Sequence, residues 1–171
     1  MELLTDKIES PIGDILIAAA DGKLIALEFA QVRERFDADL RSRFGDVRLT
    51  SRPNPFGLSK RIRAYFAGKL SVLDDIAVDG GGTPFQQEVW HALREIPAGA
   101  TKTYSELAEA VGRPKAVRAV GMINGRNPIS IVVPCHRVIG RDGSLTGYGG
   151  GLDRKRWLLA PERAEELLAI A

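Results

Sequence analysis

The chain has 171 residues, of which 44% are hydrophobic and 27% charged, and its formal net charge is +2. These values are ordinary for a globular protein. No apolar run approaches the about 20 residues of a membrane span, and the acidic start is unlike a signal peptide, so the sequence predicts a cytoplasmic protein. A single cysteine, Cys135, excludes an internal disulfide. With only two histidines beside it, we expect neither a metal site nor a cofactor.

The charges are unevenly distributed along the chain. Residues 113–156 hold nine Lys/Arg and two Asp/Glu, a local charge of +7, whereas the remaining 15 basic and 20 acidic residues sum to −5. Such an asymmetry favours a polyanion such as nucleic acid as a partner. A solvated basic surface is the alternative, because it would give the same pattern.

The first half has the pattern of an α+β domain. Residues 14–20 and 23–29 are apolar runs separated by Asp21-Gly22, which is typical of a β-hairpin. Apolar residues at helical spacing predict a helix over 32–44 that ends at Gly45, and a second helix over 58–67. No chemical motif occurs in this half, so we interpret it as a scaffold.

The best candidate for a domain boundary is the glycine run at 79–82. It divides the chain into an N-terminal scaffold domain (1–78), a linker (79–82) and a C-terminal domain (83–171). Capping-box patterns predict that helices start at Thr83 and Thr103. The second of these ends at Gly112, and Pro114 opens another helix over 115–124. The last two helices together resemble a helix-turn-helix.

The helix predicted over 115–124 has two different faces at about 100° per residue. One face holds Ala116, Ala119, Val120 and Ile123, and the other holds Lys115, Arg118 and Met122. Cations flanked by a small residue such as Gly121 suit a helix that approaches a nucleic-acid groove. An ordinary charged surface helix is an equally good interpretation of the same pattern.

Cys135 follows a short apolar run. Residues 129–133 predict a buried strand, which Pro134 ends, so the cysteine is expected at the rim of the core. A lone cysteine after a strand is most often a small buried hydrophobic residue. The adjacent His136 and Arg137 favour the thiolate instead, which raises the alternative of a nucleophile.

These residues resemble a known signature. Pro134-Cys-His-Arg-Val138, preceded by Arg126-Asn127-Pro128, is similar to the active site of the O6-alkylguanine-DNA alkyltransferases. The similarity extends from about residue 83 to residue 162 and includes the segments 104–105, 119–121, 147–152 and 157–159. It implies a two-domain α+β fold. The N-terminal domain would hold an antiparallel sheet with helices, ribonuclease-H-like, and the mostly helical C-terminal domain a winged-helix-like helix-turn-helix and a short strand leading to the cysteine.

The resemblance implies DNA repair by direct damage reversal. A methyl or larger alkyl group would pass from the O6 atom of guanine to the Cys135 sulfur, and the thioether product would limit each molecule to one reaction. His136 would deprotonate Cys135 through a water molecule, and Glu162 would orient His136. Asn127 would brace the active-site turn. Tyr104 would contact the base and donate a proton to it.

The resemblance also implies how DNA is bound. Backbone groups of Cys135, Val138 and Gly149 would contact the extruded base, although many relatives carry serine at the last position. Arg118 would fill the vacated place, with its helix in the minor groove. The other DNA-binding residues would be Lys115, Ser105 and Gly121. The expected partner is double-stranded DNA bearing alkylated bases, bound by a monomer with no membrane involved. Cooperative binding and activity on O4-alkylthymine stay open.

Two other classes of protein fit the same residues. One is a helix-turn-helix regulator in which Cys135 senses oxidants or alkylating agents. The other is a binding module that marks damaged bases for other proteins. DNA carrying O6-methylguanine distinguishes the three, because only the repair protein should gain one methyl group on Cys135.

Overall fold

The structure is a computed structural model that describes residues 1–170, with side chains for residues 1–162. The chain forms two compact units, and both contain helices and strands, as predicted. The first unit comprises Met1–Gly81 and Pro128–Val132, and the second comprises Gly82–Asn127 and the chain from Val133 onward. The second unit therefore differs from the predicted C-terminal domain of 83–171 in two respects: it includes Gly82, and it lacks the segment Pro128–Val132. None of the described helices is both long enough and apolar enough to span a membrane.

The first unit is built on a four-stranded sheet with the order β3-β2-β1-β4. The strands β1 (Glu2–Ile8), β2 (Ile15–Ala20) and β3 (Lys23–Phe29) pair antiparallel. The fourth strand, β4 (Arg48–Ser51), joins β1 in parallel, so the sheet is mixed rather than antiparallel. The hairpin turns at Asp21 (φ 51°) and Gly22 (φ 76°), as the Asp-Gly pair predicts, because a two-residue turn of this kind needs positive φ at both positions.

Two helices complete the first unit at the predicted places. They are α1 (Arg33–Phe44) and α2 (Leu58–Phe66). Gly45 follows α1 with a φ of 63°, the conformation that favours glycine after a helix. α1 packs against β3. The core on this side of the sheet consists of Leu3, Ala18, Ala20, Ile25, Ala26, Phe36 and Leu40.

The segment Pro128–Val132 is buried beside β3, but it is not the predicted strand. Leu27 exchanges backbone hydrogen bonds with the residues on both sides of Ile129, which makes one isolated parallel bridge. The chain then turns at Ile131, whose φ of 73° is rare for a β-branched residue. The apolar run thus predicts burial correctly. A longer ladder is prevented because this turn follows at once. In addition, Pro128 and Pro134, which flank the apolar run 129–133, have no N–H to donate.

The second unit is mainly helical. Its helices are α3 (Pro84–Arg94), α4 (Tyr104–Ala110), α5 (Val117–Gly125) and α6 (Leu152–Ile170), and its two short strands are β5 (Lys102–Thr103) and β6 (Val138–Ile139). Both predicted capping boxes are present. The side chains of Thr83 and Thr103 each accept the N–H of the third helical residue, and those of Gln86 and Glu106 accept the N–H of the capping threonine.

α4 and α5 are joined by the predicted glycine turn. The amides of Gly112 (φ 71°) and Arg113 donate back to the last turn of α4, which is the Schellman pattern. α5 starts two residues later than predicted. A hydrogen bond joins α5 to α3, because the indole N–H of Trp90 in α3 donates to the carbonyl of Ile123 in α5 at 3.0 Å.

Candidate active site

Cys135 lies in a tight turn of the second unit. Pro134, with φ −82° and ψ 65°, is the central residue of an inverse γ-turn, and the Cys135 N–H closes this turn by donating to the Val133 carbonyl at 2.8 Å. The side-chain amide of Asn127 donates to the same carbonyl at 2.7 Å. Asn127 thus fixes the Val133 carbonyl, which accepts the hydrogen bond that closes the turn. The Cys135 side chain is 7% exposed, so it lies just below the surface.

His136 and Glu162 meet in the interior although they are 26 residues apart. The distance from His136 Nε2 to Glu162 Oε1 is 2.8 Å, and both side chains are buried. A carboxylate can only accept a hydrogen bond, so the proton lies on Nε2 and Nδ1 has the lone pair of a base. His136 Nδ1 is buried and has no hydrogen-bond partner among the residues that the structure describes.

Arg137 closes the same network from the other side of Glu162. Its Nε and one terminal nitrogen donate to the two carboxylate oxygens at 3.1 and 3.0 Å, and its other terminal nitrogen donates to the Ile96 carbonyl at 2.7 Å. The sequence analysis used Arg137 as a cation that favours the Cys135 thiolate. Its charge is instead paired with Glu162, so this part of the interpretation needs another cation.

The network sets the charge state of its members. Burial alone would raise the pKa of Glu162, but hydrogen bonds from His136 and Arg137 outweigh burial and lower that pKa to about 2. For His136, burial is the main cause that lowers the pKa below its usual value of 6.5, and the contact with Glu162 only partly opposes it. The pair at neutral pH is therefore a carboxylate and a neutral imidazole.

Tyr104 is placed near this turn by the short parallel ladder. β5 and β6 pair with Thr103 opposite Ile139, so Tyr104, the next residue, starts α4 beside the chain that leaves Cys135. The Tyr104 hydroxyl donates to the Thr146 carbonyl at 3.1 Å. Its ring lies 3.6 Å from the position that a Cβ atom on Gly121 would take. Gly121 thus brings α5 against Tyr104.

The hydrogen bonds within the turn limit which backbone atoms of Cys135 and Val138 could contact a base. The Cys135 N–H donates to Val133, and the N–H of Val138 donates to the Cys135 carbonyl. A base contact from Cys135 or Val138 would therefore use a carbonyl oxygen rather than an amide. Gly149 is exposed in the loop before α6 and does not adopt a positive φ, so a side chain at this position would not strain the backbone.

The exposed face of α5 carries the side chains predicted to face DNA. Arg118 is exposed and Met122 is 57% exposed, while Lys115 is exposed in the turn before the helix. Ser105 is exposed at the start of α4. The opposite face buries Val120 and Ile123, as expected, but it also buries Asn124 and leaves Ala119 exposed.

Sequence reasoning missed one residue of this site. Lys155 is fully buried in the first turns of α6, and its Nζ donates to the Thr146 carbonyl at 2.9 Å. The same carbonyl accepts the hydrogen bond of Tyr104. The available signal was the spacing of Lys155 and Glu162, which are seven positions apart and so share one face of a helix. Residues 1–162 hold no group of three or more Cys, His, Asp or Glu side chains that could bind a metal ion.

Comparison with known proteins identifies the family. Residues 84–164 match the model of the DNA-binding domain of 6-O-methylguanine DNA methyltransferase, and residues 3–79 match its ribonuclease-like domain. A methylated-DNA–protein-cysteine methyltransferase of Salmonella typhimurium is 50% identical over 95% of this chain and 96% of its own length. The chain belongs to this family. The family resemblance predicted from the sequence is therefore confirmed.

Further relatives agree with this assignment. The methylated-DNA–protein-cysteine methyltransferase of Mycolicibacterium paratuberculosis is 50% identical over 91% of this chain and 90% of its own length. Among solved structures, Mycobacterium tuberculosis OGT in complex with DNA is similar, with a TM-score of 0.79 and 43% identity, and the match covers 96% of this chain and 94% of that one. The family and the two-domain fold are thus shown.

Proposed function

We propose that this chain repairs DNA by transferring a methyl or larger alkyl group from the O6 atom of guanine to the Cys135 sulfur, and that each molecule acts once. The observation that carries the proposal is the Cys135 turn, in which the next residue is a neutral histidine held by a buried carboxylate. Relatives include proteins of Salmonella typhimurium and Methanosarcina barkeri, whose DNA lies in the cytoplasm, so we place the reaction there.

The first step forms the thiolate. Side chains of adjacent residues diverge, so His136 Nδ1 takes the Cys135 proton through one bridging water molecule. The Glu162 carboxylate orients His136, which acts as the general base, and stabilises the imidazolium that forms. Support comes from the tautomer, since the hydrogen bond at Nε2 leaves the base on Nδ1. Asn127 keeps the turn in place during this step.

The second step transfers the alkyl group. The thiolate attacks the saturated carbon in line, and the S–C bond forms while the C–O6 bond breaks and its electron pair passes to the guanine. Tyr104 donates its hydroxyl proton to N3, so the base leaves as neutral guanine rather than as an anion. Water then returns one proton from the His136 imidazolium to the Tyr104 phenolate. In the balance, the Cys135 proton replaces the alkyl group on guanine.

The base must leave the duplex before this chemistry can occur. We propose that the exposed face of α5 enters the minor groove and that Arg118 fills the place of the extruded nucleotide. Gly121 supports this placement, because the same helix that bears Arg118 packs its small residue beside the Tyr104 ring. Lys115 and Ser105 are exposed nearby and would contact the backbone. Phosphate contacts of this kind should weaken as salt is raised.

The decisive experiment is incubation of the protein with duplex DNA that carries one O6-methylguanine. We expect a stoichiometric gain of one methyl group on the peptide that contains Cys135, together with restored guanine in the DNA. Mass spectrometry of the digested protein and of the DNA nucleosides measures both products. Binding without transfer would instead indicate a damage-marking module, and redox-dependent binding to undamaged DNA would indicate a regulator. Duplexes with longer O6-alkyl groups or O4-methylthymine define the substrate range.

The matched variant for this assay is Cys135→Ala. It should abolish transfer completely, since the chain has no other cysteine, while the affinity for the same duplex persists. Both quantities can be measured on one preparation, by mass spectrometry and by fluorescence anisotropy of labelled DNA. Transfer that survives in this variant would show that Cys135 is not the acceptor.

A further inference from the structure

Lys155 is a buried cation that the mechanism above does not use. Its side chain is 0% exposed, and the hydrogen bond of its Nζ to the Thr146 carbonyl joins it to a neutral group. Within residues 1–162, no carboxylate lies within ion-pair distance of it. Burying an ammonium group without an opposite charge is strongly unfavourable. Such an arrangement indicates an anion elsewhere in the site.

α6 places Lys155 beside the turn that carries the nucleophile. The helix packs against the turn Cys135–Arg137. Lys155 and Glu162 lie two turns apart on its buried face, with the fully buried Leu158 between them. Glu162 directs its carboxylate to His136 in that turn. Lys155 therefore lies on the same buried face of α6 as Glu162, which contacts this turn.

Among the described side chains, Cys135 is the one whose negative charge acts on Lys155. Burial is the main cause that lowers the pKa of Lys155, and negative charge on Cys135 opposes that lowering. Within residues 1–162, the other titratable or charged groups of the site are His136 and Arg137 on the turn, Glu162 on α6, Tyr104 on α4 and Tyr148 in the loop before α6. Arg137 is paired with Glu162, and burial keeps His136 neutral.

We propose that Lys155 is a positioning residue whose ammonium group stabilises the Cys135 thiolate. The shared Thr146 carbonyl accepts from Lys155 Nζ at 2.9 Å and from the Tyr104 hydroxyl at 3.1 Å. It therefore fixes the cation and the proton donor to the same point of the loop before α6. This inference rests on the proposed function, in which His136 forms the thiolate, and it names the group that keeps the thiolate charged until the alkyl carbon arrives.

The test uses the fact that the chain has one cysteine. The ultraviolet absorbance of a thiolate can be followed against pH in the intact protein without DNA, so the result does not depend on alkyl transfer. We expect Lys155→Gln and Lys155→Met to raise the pH midpoint of thiolate formation by about one unit or more. Below that midpoint, one unit is a roughly tenfold loss of thiolate. Lys155→Arg should restore the midpoint, because it retains the charge.

The matched control is Arg156→Gln, which removes a cation from the next position of α6 on its exposed side. This variant should leave the midpoint unchanged. Thermal unfolding of each variant shows whether it retains the fold. A folded Lys155→Gln or Lys155→Met protein with the wild-type midpoint would overturn the proposal, because a purely structural lysine would not affect the titration of Cys135.

A second measurement needs no substitution. Wild-type protein labelled with ¹³C at lysine Cε is titrated by NMR before and after Cys135 is methylated with iodomethane, which replaces the thiolate by a neutral thioether. If the two charges stabilise each other, the titration of Lys155 shifts to lower pH after methylation. An unchanged titration would contradict the proposal. Failure of methyl transfer from DNA would affect only the proposed function, since neither measurement contains DNA.

Discussion

Among the side chains that the structure describes, each unit buries one glutamate, and the two are partnered differently. Glu28 in the first unit is 3% exposed, and Glu162 in the second is 1% exposed. Glu28 lies 3.3 Å from the Nε of Arg35, whose side chain is 35% exposed. It also accepts hydrogen bonds from the Phe29 N–H at 3.1 Å and from the Ser130 hydroxyl at 3.5 Å. These partners are a partly solvated cation and two neutral groups, and the Ser130 contact joins the segment Pro128–Val132 to the edge of the sheet.

Glu162 makes shorter hydrogen bonds than the Ser130 contact of Glu28, and its partners are more deeply buried than Arg35. It accepts three hydrogen bonds of 2.8 to 3.1 Å from His136 and Arg137, which are both buried. One of its partners, His136, is an imidazole with a lone pair that can take up a proton, whereas neither Arg35 nor Ser130 offers such a base at Glu28. The comparison shows that burial of a carboxylate does not identify a reactive site by itself. The proposed reactive site rests on a further feature, which is a titratable partner next to a cysteine.

The largest expected effect is that of Glu162→Gln on alkyl transfer. The amide still accepts a hydrogen bond from His136, but it no longer stabilises an imidazolium, and it leaves Arg137 buried without a counter-charge. We expect the transfer rate to fall by about a hundredfold or more, and the free energy of unfolding to fall by about 3 kcal/mol or more. Single-turnover kinetics on O6-methylguanine DNA and urea unfolding measure the two effects separately.

The corresponding control is Glu28→Gln, which makes the same change at the other buried glutamate. A similar loss of transfer rate in both variants would show that any buried carboxylate of this chain affects activity through the fold. It would remove the functional distinction between the two sites. A normal rate in Glu162→Gln would remove Glu162 from the mechanism.

The second effect is the dependence of stability on acid. The folded pKa of Glu162 is lowered from 4.5 to about 2, so below pH 4.5 the unfolded chain binds this proton and the folded chain does not. Stability from this group is complete above pH 4.5 and is lost as the pH falls toward 2, a total of about 3 kcal/mol. Urea unfolding at a series of pH values should show that slope in the wild type and a shallower one in Glu162→Gln. Parallel slopes in the two proteins would contradict the assignment.

Local features of the fold were predictable from the sequence because a few adjacent residues determine them. The capping boxes at Thr83 and Thr103 form as predicted, since each needs only a threonine and an acceptor three positions later. The Asp21-Gly22 hairpin and the turn at Gly112 need only residues that adopt positive φ. The family resemblance was also readable from the residues that follow Pro134.

The interior of the site was less predictable because its contacts join distant parts of the chain. Arg137 was interpreted from its neighbour Cys135, whereas its partners are Glu162 and the Ile96 carbonyl, 25 and 41 positions away. Lys155 had no local signal as a buried residue, since lysine is usually exposed. The strand predicted over 129–133 failed for a related reason. Its apolar residues indicate burial equally well in a strand and in a pair of tight turns.

The smallest expected effect is the one that Glu28→Gln has on stability. The variant keeps a hydrogen-bond acceptor for the Ser130 hydroxyl and loses the charge that faces Arg35, which can be solvated in its place. We expect the free energy of unfolding to fall by about 1 kcal/mol. The rate of alkyl transfer per folded molecule should be unchanged, because no titratable partner is affected. Urea unfolding and single-turnover kinetics measure the two quantities. A stability loss as large as that of Glu162→Gln would mean that Arg35 does not gain the solvation that its exposure suggests, and that both glutamates are equally essential to the fold.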